Sequence, residues 1–131
     1  MNRPTAAITA VHGVVPEKVL SNKDLEKMVD TNDEWIVSRT GIKERRIVED
    51  GQTLSDMGSD IVKEICKKRG ISPLEIDMVI VGTVTADHRF PSASNIICDK
   101  SGAKNAWGFD LSAACSGFIY TLVTGQQFIE S

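Results

Sequence analysis

This sequence carries no excess of positive charge: 15 Lys and Arg stand against 18 Asp and Glu in 131 residues, a formal net charge of -3. The broad attraction that draws basic proteins to nucleic acid or anionic lipid is therefore missing, which argues against both as partners. Long apolar runs are lacking too. Runs such as Met78-Val79-Ile80-Val81 fall far short of the roughly 20 residues a bilayer span requires. Met1-Asn2-Arg3-Pro4 leads into no signal-peptide core, so a cytoplasmic location is expected. Cysteine is sparse: Cys66, Cys98 and Cys115 cannot all pair internally, and no two of them have the CxxC spacing of a zinc or redox site. Reduced thiols and no metal are the expectation. No HExxH, GxGxxG, P-loop or GxSxG pattern occurs, and His12 and His88 are the two histidines.

What is present reads as one compact α/β unit, with 41% apolar residues and with Gly and Pro scattered as single punctuation marks. Residues 6–11 look like a first strand ending at His12-Gly13. Ser21 with Asp24 three residues on is a capping-box variant opening a short helix through Met28. Asn32-Asp33-Glu34 opens a second helix, with its acids at the positive end, and Gly41 stops it. Leu54, Met57, Ile61, Val62, Ile65 and Cys66 recur at helical spacing, ahead of a basic last turn and Gly70. Ser72-Pro73 with Glu75 begins a turn of helix. Residues 78–84 are a β-branched run too apolar to alternate faces, which predicts a central strand covered on both sides. A loop over 85–91, a helix near 92–100 stopped by Gly102, and a strand over 106–111 follow. The alternation predicts a sheet with helices on both faces and functional atoms at the carboxyl ends of its strands.

Two such ends stand out, 83–91 and Ser112-Ala113-Ala114-Cys115-Ser116-Gly117. At a strand-to-helix junction, the Cys115 sulfur would lie near unpaired helix N–H groups that favour negative charge and can hold a developing oxyanion. The competing reading is a small packed residue beside alanines. Cys66 and Cys98 fall on apolar faces and read as packing residues. His12 reads as a turn residue, while His88, between Asp87 and Arg89, lies in a loop able to reach a site. Trp35 and Arg39, four apart, put an aromatic plane and a fixed cation on one helical face. That pair either stacks on a heterocycle and binds its phosphates or packs as a cation-π contact. Lys43, Glu44, Arg45 and Arg46 read as a solvated strand edge. Phe118, Ile119, Leu122, Val123, Phe128 and Ile129 keep a helical pattern going almost to Ser131 with no stop signal after it. Such a helix either frays in solvent or packs on partners beyond Ser131.

Four stretches together resemble a known family. They are Asp24-Leu25-Glu26-Lys27-Met28-Val29-Asp30-Thr31; Asp33-Glu34-Trp35-Ile36-Val37-Ser38-Arg39-Thr40-Gly41-Ile42; Phe90-Pro91-Ser92-Ala93; and Phe109-Asp110-Leu111-Ser112-Ala113-Ala114-Cys115-Ser116-Gly117-Phe118. The family is β-ketoacyl-(acyl carrier protein) synthase III, the initiating condensing enzyme of bacterial fatty-acid synthesis, in the thiolase superfamily. The resemblance runs over essentially the whole chain. It implies a thiolase-like fold, layered α-β-α-β-α in the full enzyme, of which residues 1–131 are most of the first βα half. It makes Cys115 the nucleophile acylated by an acyl-CoA primer, acetyl being the expected one. Trp35 becomes the plane for the CoA adenine, with Thr31 and Arg39 beside it, and Phe90 a residue reaching across a dimer interface to limit the partner's acyl pocket. Val84 stands where some members carry a hydroxyl, so the primer is not settled by the resemblance. Acyl carrier protein is the implied partner, a homodimer the implied assembly, and no cofactor is implied beyond the acyl-CoA and malonyl-(acyl carrier protein) substrates. Family members are more than twice as long, and the His and Asn that promote decarboxylation belong to their second half, which His12 and His88 do not match. The expectation is an N-terminal portion that does not condense by itself. The alternatives are a related condensing enzyme of secondary metabolism and a non-catalytic dimerising fragment.

Overall fold

Local capping chemistry sets most element boundaries in this chain. The computed structural model describes residues 5–131, so residues 1–4, read above as leading into no signal-peptide core, lie outside the described residues. Where the sequence reads as one unit, the described residues group into two: 15–52 form one, and 5–14 with 53–131 form the other.

In the smaller unit, β1 (Val19–Ser21) pairs antiparallel with β2 (Glu44–Arg46), Leu20 opposite Arg45. Ser21 caps α1 (Asn22–Leu25) through the expected capping box with Asp24. Its helical hydrogen bonding stops at Leu25, earlier than Met28, because the next turns tighten to bonds from Lys27 N to Asp24 O and from Met28 N to Leu25 O. Asn32 caps α2 (Asp33–Thr40) by accepting from Trp35 N at 2.8 Å, and Gly41 ends it at φ 72°, a left-handed conformation glycine adopts at no steric cost. Both ends of α2 agree with the sequence reading. Ile36 is buried, which sets the opposite face outward.

In the larger unit, α3 (Leu54–Arg69) runs from the Thr53–Asp56 capping box to Gly70. A 3-10 turn (Pro73–Glu75) leads to β3 (Met78–Gly82), then come α4 (Ala93–Ser101), β4 (Trp107–Leu111), a second 3-10 turn (Ala114–Ser116) and α5 (Gly117–Glu130). β3 and β4 are parallel, with Val79 opposite Gly108 and Gly82 opposite Leu111. Side chains alternate across a strand, and the two faces take different helices. A Cβ on Gly108 would meet Ser94 of α4, while one on Gly82 would meet Gly117 and Thr121 of α5. Helices therefore cover both faces, as the alternation predicts.

Two strand expectations need correction. Residues 6–11 form no strand, since a strand needs a ladder partner and the backbone there finds none among the described residues; Ala6 N donates instead to Glu130 Oε1 at 3.1 Å, and Ile8 and Val11 stay exposed. β3 is not central within the described residues: β4 is its one neighbour, its side chains are half-buried, and it ends at Gly82 although the apolar run continues to Val84.

The core of this unit lies between α3, α4 and the sheet and is built of small residues. Cys66, Ala93, Ile97, Cys98 and Ala103 are buried with Ser55, Ser59, Ser94 and Ser101. Small side chains let the backbones approach closely, and Gly58 of α3 lies directly against the Ile97 side chain of α4. The buried serines are hydrogen-bonded, for example Ser59 Oγ to Asp56 O at 2.8 Å, and no buried side-chain polar atom lacks a partner among the described residues. α5 differs. Trp107, Phe109 and Phe128 cluster on one side of it, yet Phe118, Ile119, Tyr120, Leu122, Val123 and Ile129 are exposed, so it is apolar nearly all round. No helix among the described residues is long and apolar enough to cross a membrane.

Lys100 of α4 closes the start of α3: its Nζ lies 2.7 Å from Asp56 Oδ1 and 2.8 Å from Ser55 Oγ. With Lys100 foremost and the Thr53 cap adding to it, the Asp56 carboxyl is lowered from its ordinary 3.8 to about 2. A carboxyl lowered on folding stabilises the protein above its unfolded value and loses that contribution as pH falls through its folded value. Denaturant midpoints measured against pH should therefore drop between about pH 3.8 and pH 2. Lys100→Met, which removes the largest cause, should make that acid slope shallower and leave the Thr53 part.

Candidate active site

Two carboxylates at the carboxyl ends of the strands position the candidate site. Asp110, on β4, accepts from Ala93 N at 2.7 Å and Ser94 N at 2.9 Å, the first two N–H groups of α4. Asp87, in the loop after β3, accepts from Leu54 N at 2.9 Å and Ser55 N at 3.0 Å, the first two of α3. Helix N-terminal N–H groups have no partner within the helix and carry partial positive charge, so each carboxylate satisfies two donors and lies in a favourable field. Burial would raise the Asp87 carboxyl, but hydrogen bonds from Ser55 and Leu54, with Lys100 nearby, outweigh it and hold it below the usual carboxylate range.

The loop from β3 to α4, anchored at Asp87, carries Thr83, Val84, His88 and Phe90, and its residues 83–84 and 86–89 with Asp110 and Ser112 line a hollow of about 480 Å³. His88 lines this hollow and Phe90 does not; Phe90 is 89% exposed, an unusual placement for a phenyl ring on an anchored loop. A larger groove of about 1010 Å³ runs between the start of β3 and the end of α5, past Met78, Ile80, Trp107, Phe128 and Ile129. It has no cysteine or histidine in its lining and reads as uncovered packing surface.

β4 passes from Leu111 through Ser112 and Ala113 into the turn that holds Cys115. Ala114 has φ 45°, and Ser116 N donates to Ala113 O at 3.0 Å. A left-handed alanine is strained, and such strain persists where surrounding structure imposes it. The constraint on the far side is backbone contact: a Cβ on Gly82 would lie 3.0 Å from the Gly117 carbonyl carbon, so the end of β3 and the first residue of α5 touch without side chains between them. Cys115 is thereby held just ahead of α5, whose N-terminus receives no side-chain cap. Its side chain is exposed, whereas Cys66 and Cys98 are buried, and burial pushes both buried thiols up. Among the described residues Cys115 is therefore not packed, unlike the other two cysteines.

In the smaller unit, the Arg39 guanidinium lies 5.6 Å from the centre of the Trp35 ring. Trp35 is 56% exposed and Arg39 is exposed, so the pair forms a cation-π contact without being packed away, and much of the indole stays open. Thr31, half-buried, stands just before the Asn32 cap. His12 is half-buried, with Nδ1 3.0 Å from Lys68 Nζ, and is occupied structurally. No group of three His, Cys, Asp or Glu side chains among the described residues is placed to hold a metal ion.

The sequence reading missed Asp87, Asp110, Asn22 and the strain at Ala114. A lone acid inside the strand Trp107-Gly108-Phe109-Asp110-Leu111 is a usable signal, because an unpaired carboxylate there would be costly. Asn22, 1% exposed, looks in sequence like an ordinary first-turn residue.

No protein-family profile matches the chain. Among curated proteins it is 55% identical over 127 residues to the β-ketoacyl-[acyl-carrier-protein] synthase III of Chlorobaculum tepidum, covering 96% of this chain and 39% of that protein. It is 51% identical over 132 residues to β-ketoacyl-[acyl-carrier-protein] synthase III 2 of Bacteroides thetaiotaomicron, covering 100% and 39%. The chain thus spans about two fifths of the length of these relatives. Among solved structures, the 3-oxoacyl-[acyl-carrier-protein] synthase III of Aquifex aeolicus superposes with a TM-score of 0.84 at 48% identity, over 88% of this chain and 37% of that one. The priming β-ketosynthase of the R1128 polyketide pathway superposes with a TM-score of 0.93 at 39% identity, over 98% and 39%.

Ala114→Gly should stabilise the protein. Relief of a left-handed non-glycine residue is worth about 1–2 kcal/mol, against about 0.5–1 kcal/mol of added chain entropy in the unfolded state. A urea midpoint raised by the net of these two checks it; a lowered midpoint would show that the alanine is not strained.

Proposed function

The chain belongs to the β-ketoacyl-[acyl-carrier-protein] synthase III family and carries an N-terminal portion of its thiolase-like α/β fold, and on that premise we propose that it performs the acyl-accepting half of an initiating condensation. The observation that carries the reading is the exposed Cys115 in a strained turn between β4 and α5, while Cys66 and Cys98 are buried.

The Cys115 sulfur attacks the thioester carbonyl of an acyl-CoA, acetyl-CoA in the first instance. A carbon–sulfur bond to Cys115 forms, the bond to CoA breaks, and CoA leaves as the thiol with the proton. N–H donors at the turn stabilise the oxyanion of the tetrahedral intermediate, charge that develops in the transition state. Malonyl-(acyl carrier protein) then loses CO2, its carbanion attacks the acyl-Cys115 carbonyl, and the Cys115 sulfur departs as the 3-oxoacyl product forms. The His and Asn that promote decarboxylation are assigned to the second half of the family's chain, and removing groups that act as a unit abolishes most of a rate. Residues 1–131 by themselves are therefore assigned acylation without turnover.

Trp35 stacks on the CoA adenine, Arg39 places a fixed charge beside its phosphates, and Thr31 hydrogen-bonds the nucleotide. Phe90 fits a contact across a homodimer, being almost fully exposed on a loop anchored through Asp87. The uncovered apolar surface of α5 fits a helix enclosed by the rest of a chain as long as the relatives'. The enzyme is assigned to the cytoplasm, with acyl-CoA and malonyl-(acyl carrier protein) as substrates and no other cofactor. A second reading, the priming condensation of a polyketide pathway, draws on the TM-score of 0.93 with a priming β-ketosynthase. Profiling primers and carrier proteins separates the two.

Brief exposure to radiolabelled acetyl-CoA followed by peptide mapping tests the assignment. Label should appear on the peptide containing Cys115; label on Cys66 or Cys98 with Cys115 unmodified would contradict it.

A further inference from the structure

We propose that Asn22 is a positioning residue that sets the orientation of α2, and through it the Trp35–Arg39 platform; the proposal rests on the reading of that platform as the nucleotide site. Asn22 is 1% exposed, the most deeply buried residue of the smaller unit. Its side chain grips both ends of α2. Nδ2 donates to Asp33 Oδ1 at 2.7 Å, at the first residue of the helix, and to the Ile42 carbonyl oxygen at 2.8 Å, just past Gly41. Oδ1 accepts from Arg45 Nη1, and the Asn22 backbone N–H donates to Lys43 O at 3.2 Å, which ties the same residue to β2. Both amide hydrogens and the oxygen are thus used, so no equally small side chain replaces Asn22 without leaving a buried partner unsatisfied.

The geometry matters because little else holds α2. Of its eight residues, Ile36 is the buried one, and a single buried apolar side chain permits the helix to tilt about it. A second tie, from Asp33 N to Glu26 Oε1 at 2.7 Å, is exposed to solvent. Trp35 follows Asp33 by two residues and Arg39 ends the exposed stripe, so a tilt at the Asp33 end moves both faces of the platform. Asn22 is too deeply buried, and too fully bonded, to act on a ligand itself.

The test is a kinetic split in the whole enzyme. Asn22→Ala should raise KM for acetyl-CoA about tenfold, below the roughly hundredfold that a 1 Å misplacement can cost, with kcat changed less than about twofold. Acyl transfer from acetyl-N-acetylcysteamine, a thioester lacking the nucleotide, should not change. Asn22→Asp sets a carboxylate against Asp33 and should behave like Asn22→Ala. Adding Asp33→Asn to it restores a hydrogen bond of reversed direction and should recover much of the acetyl-CoA KM. Trp35→Ala, run alongside, reports on the underlying site. If Trp35→Ala raises KM and the Asn22 variants do not, positioning by Asn22 is wrong; if Trp35→Ala leaves KM unchanged, the nucleotide reading has failed first. Equal losses with acetyl-CoA and acetyl-N-acetylcysteamine, or no recovery in the double variant, would reduce Asn22 to general fold stability and overturn the proposal.

Discussion

The carboxylate of Asp110, bonded to the first two N–H groups of α4, is the interaction on which the rest of the larger unit's site depends. It joins a strand to a helix that precedes it in the chain, so β4 cannot slide against α4 without breaking two charge-assisted hydrogen bonds. Asp87 repeats the device at α3. Between them the loop after β3 is held at its middle and at its end, and β4 is held five residues before Cys115. The nucleophile proposed at Cys115 would need placement to a fraction of an ångström, and that precision is more easily supplied by anchored strand ends than by a free loop.

Small residues make this arrangement possible. Gly58 against Ile97, Gly108 against the Val79 carbonyl and Ser94, and Gly82 against Gly117 are approaches that a Cβ would obstruct. They bring α3 close to α4, and α4 and α5 close to the pair β3 and β4, and leave little room for adjustment. The strain at Ala114 is the cost of turning from β4 into α5 within that space. In the smaller unit the logic is different, because a buried amide with three partners takes the place of an apolar core.

Much of this was legible in the sequence where the chemistry is local. The caps at Ser21, Asn32 and Ser72 and the glycine stops at 41, 70 and 102 lie within a few residues of the groups they satisfy, and all are present, while the caps at Thr53 and Ser92 appear only in the structure. Cys115 was recognisable from the run of small residues at a strand end. What could not be read depends on distant partners. Residues 6–11 have strand composition but no ladder; Asp87 and Asp110 meet N–H groups 16 to 33 positions away; and the burial of Asn22 follows from Asp33, Ile42 and Arg45 converging on it. Alanine gives no hint of a left-handed conformation, so the turn at 114 appears in the structure alone.

In the proposed reaction the thiol presented by this turn takes an acyl group from CoA, and release of free CoA on rapid mixing with acetyl-CoA measures that step before any condensation. Acyl-enzyme formation without turnover should give a burst of about one equivalent of CoA per chain, lost in Cys115→Ser and retained in Cys66→Ser and Cys98→Ser. A burst of the same size in Cys115→Ser, or none in the wild-type protein, would contradict it.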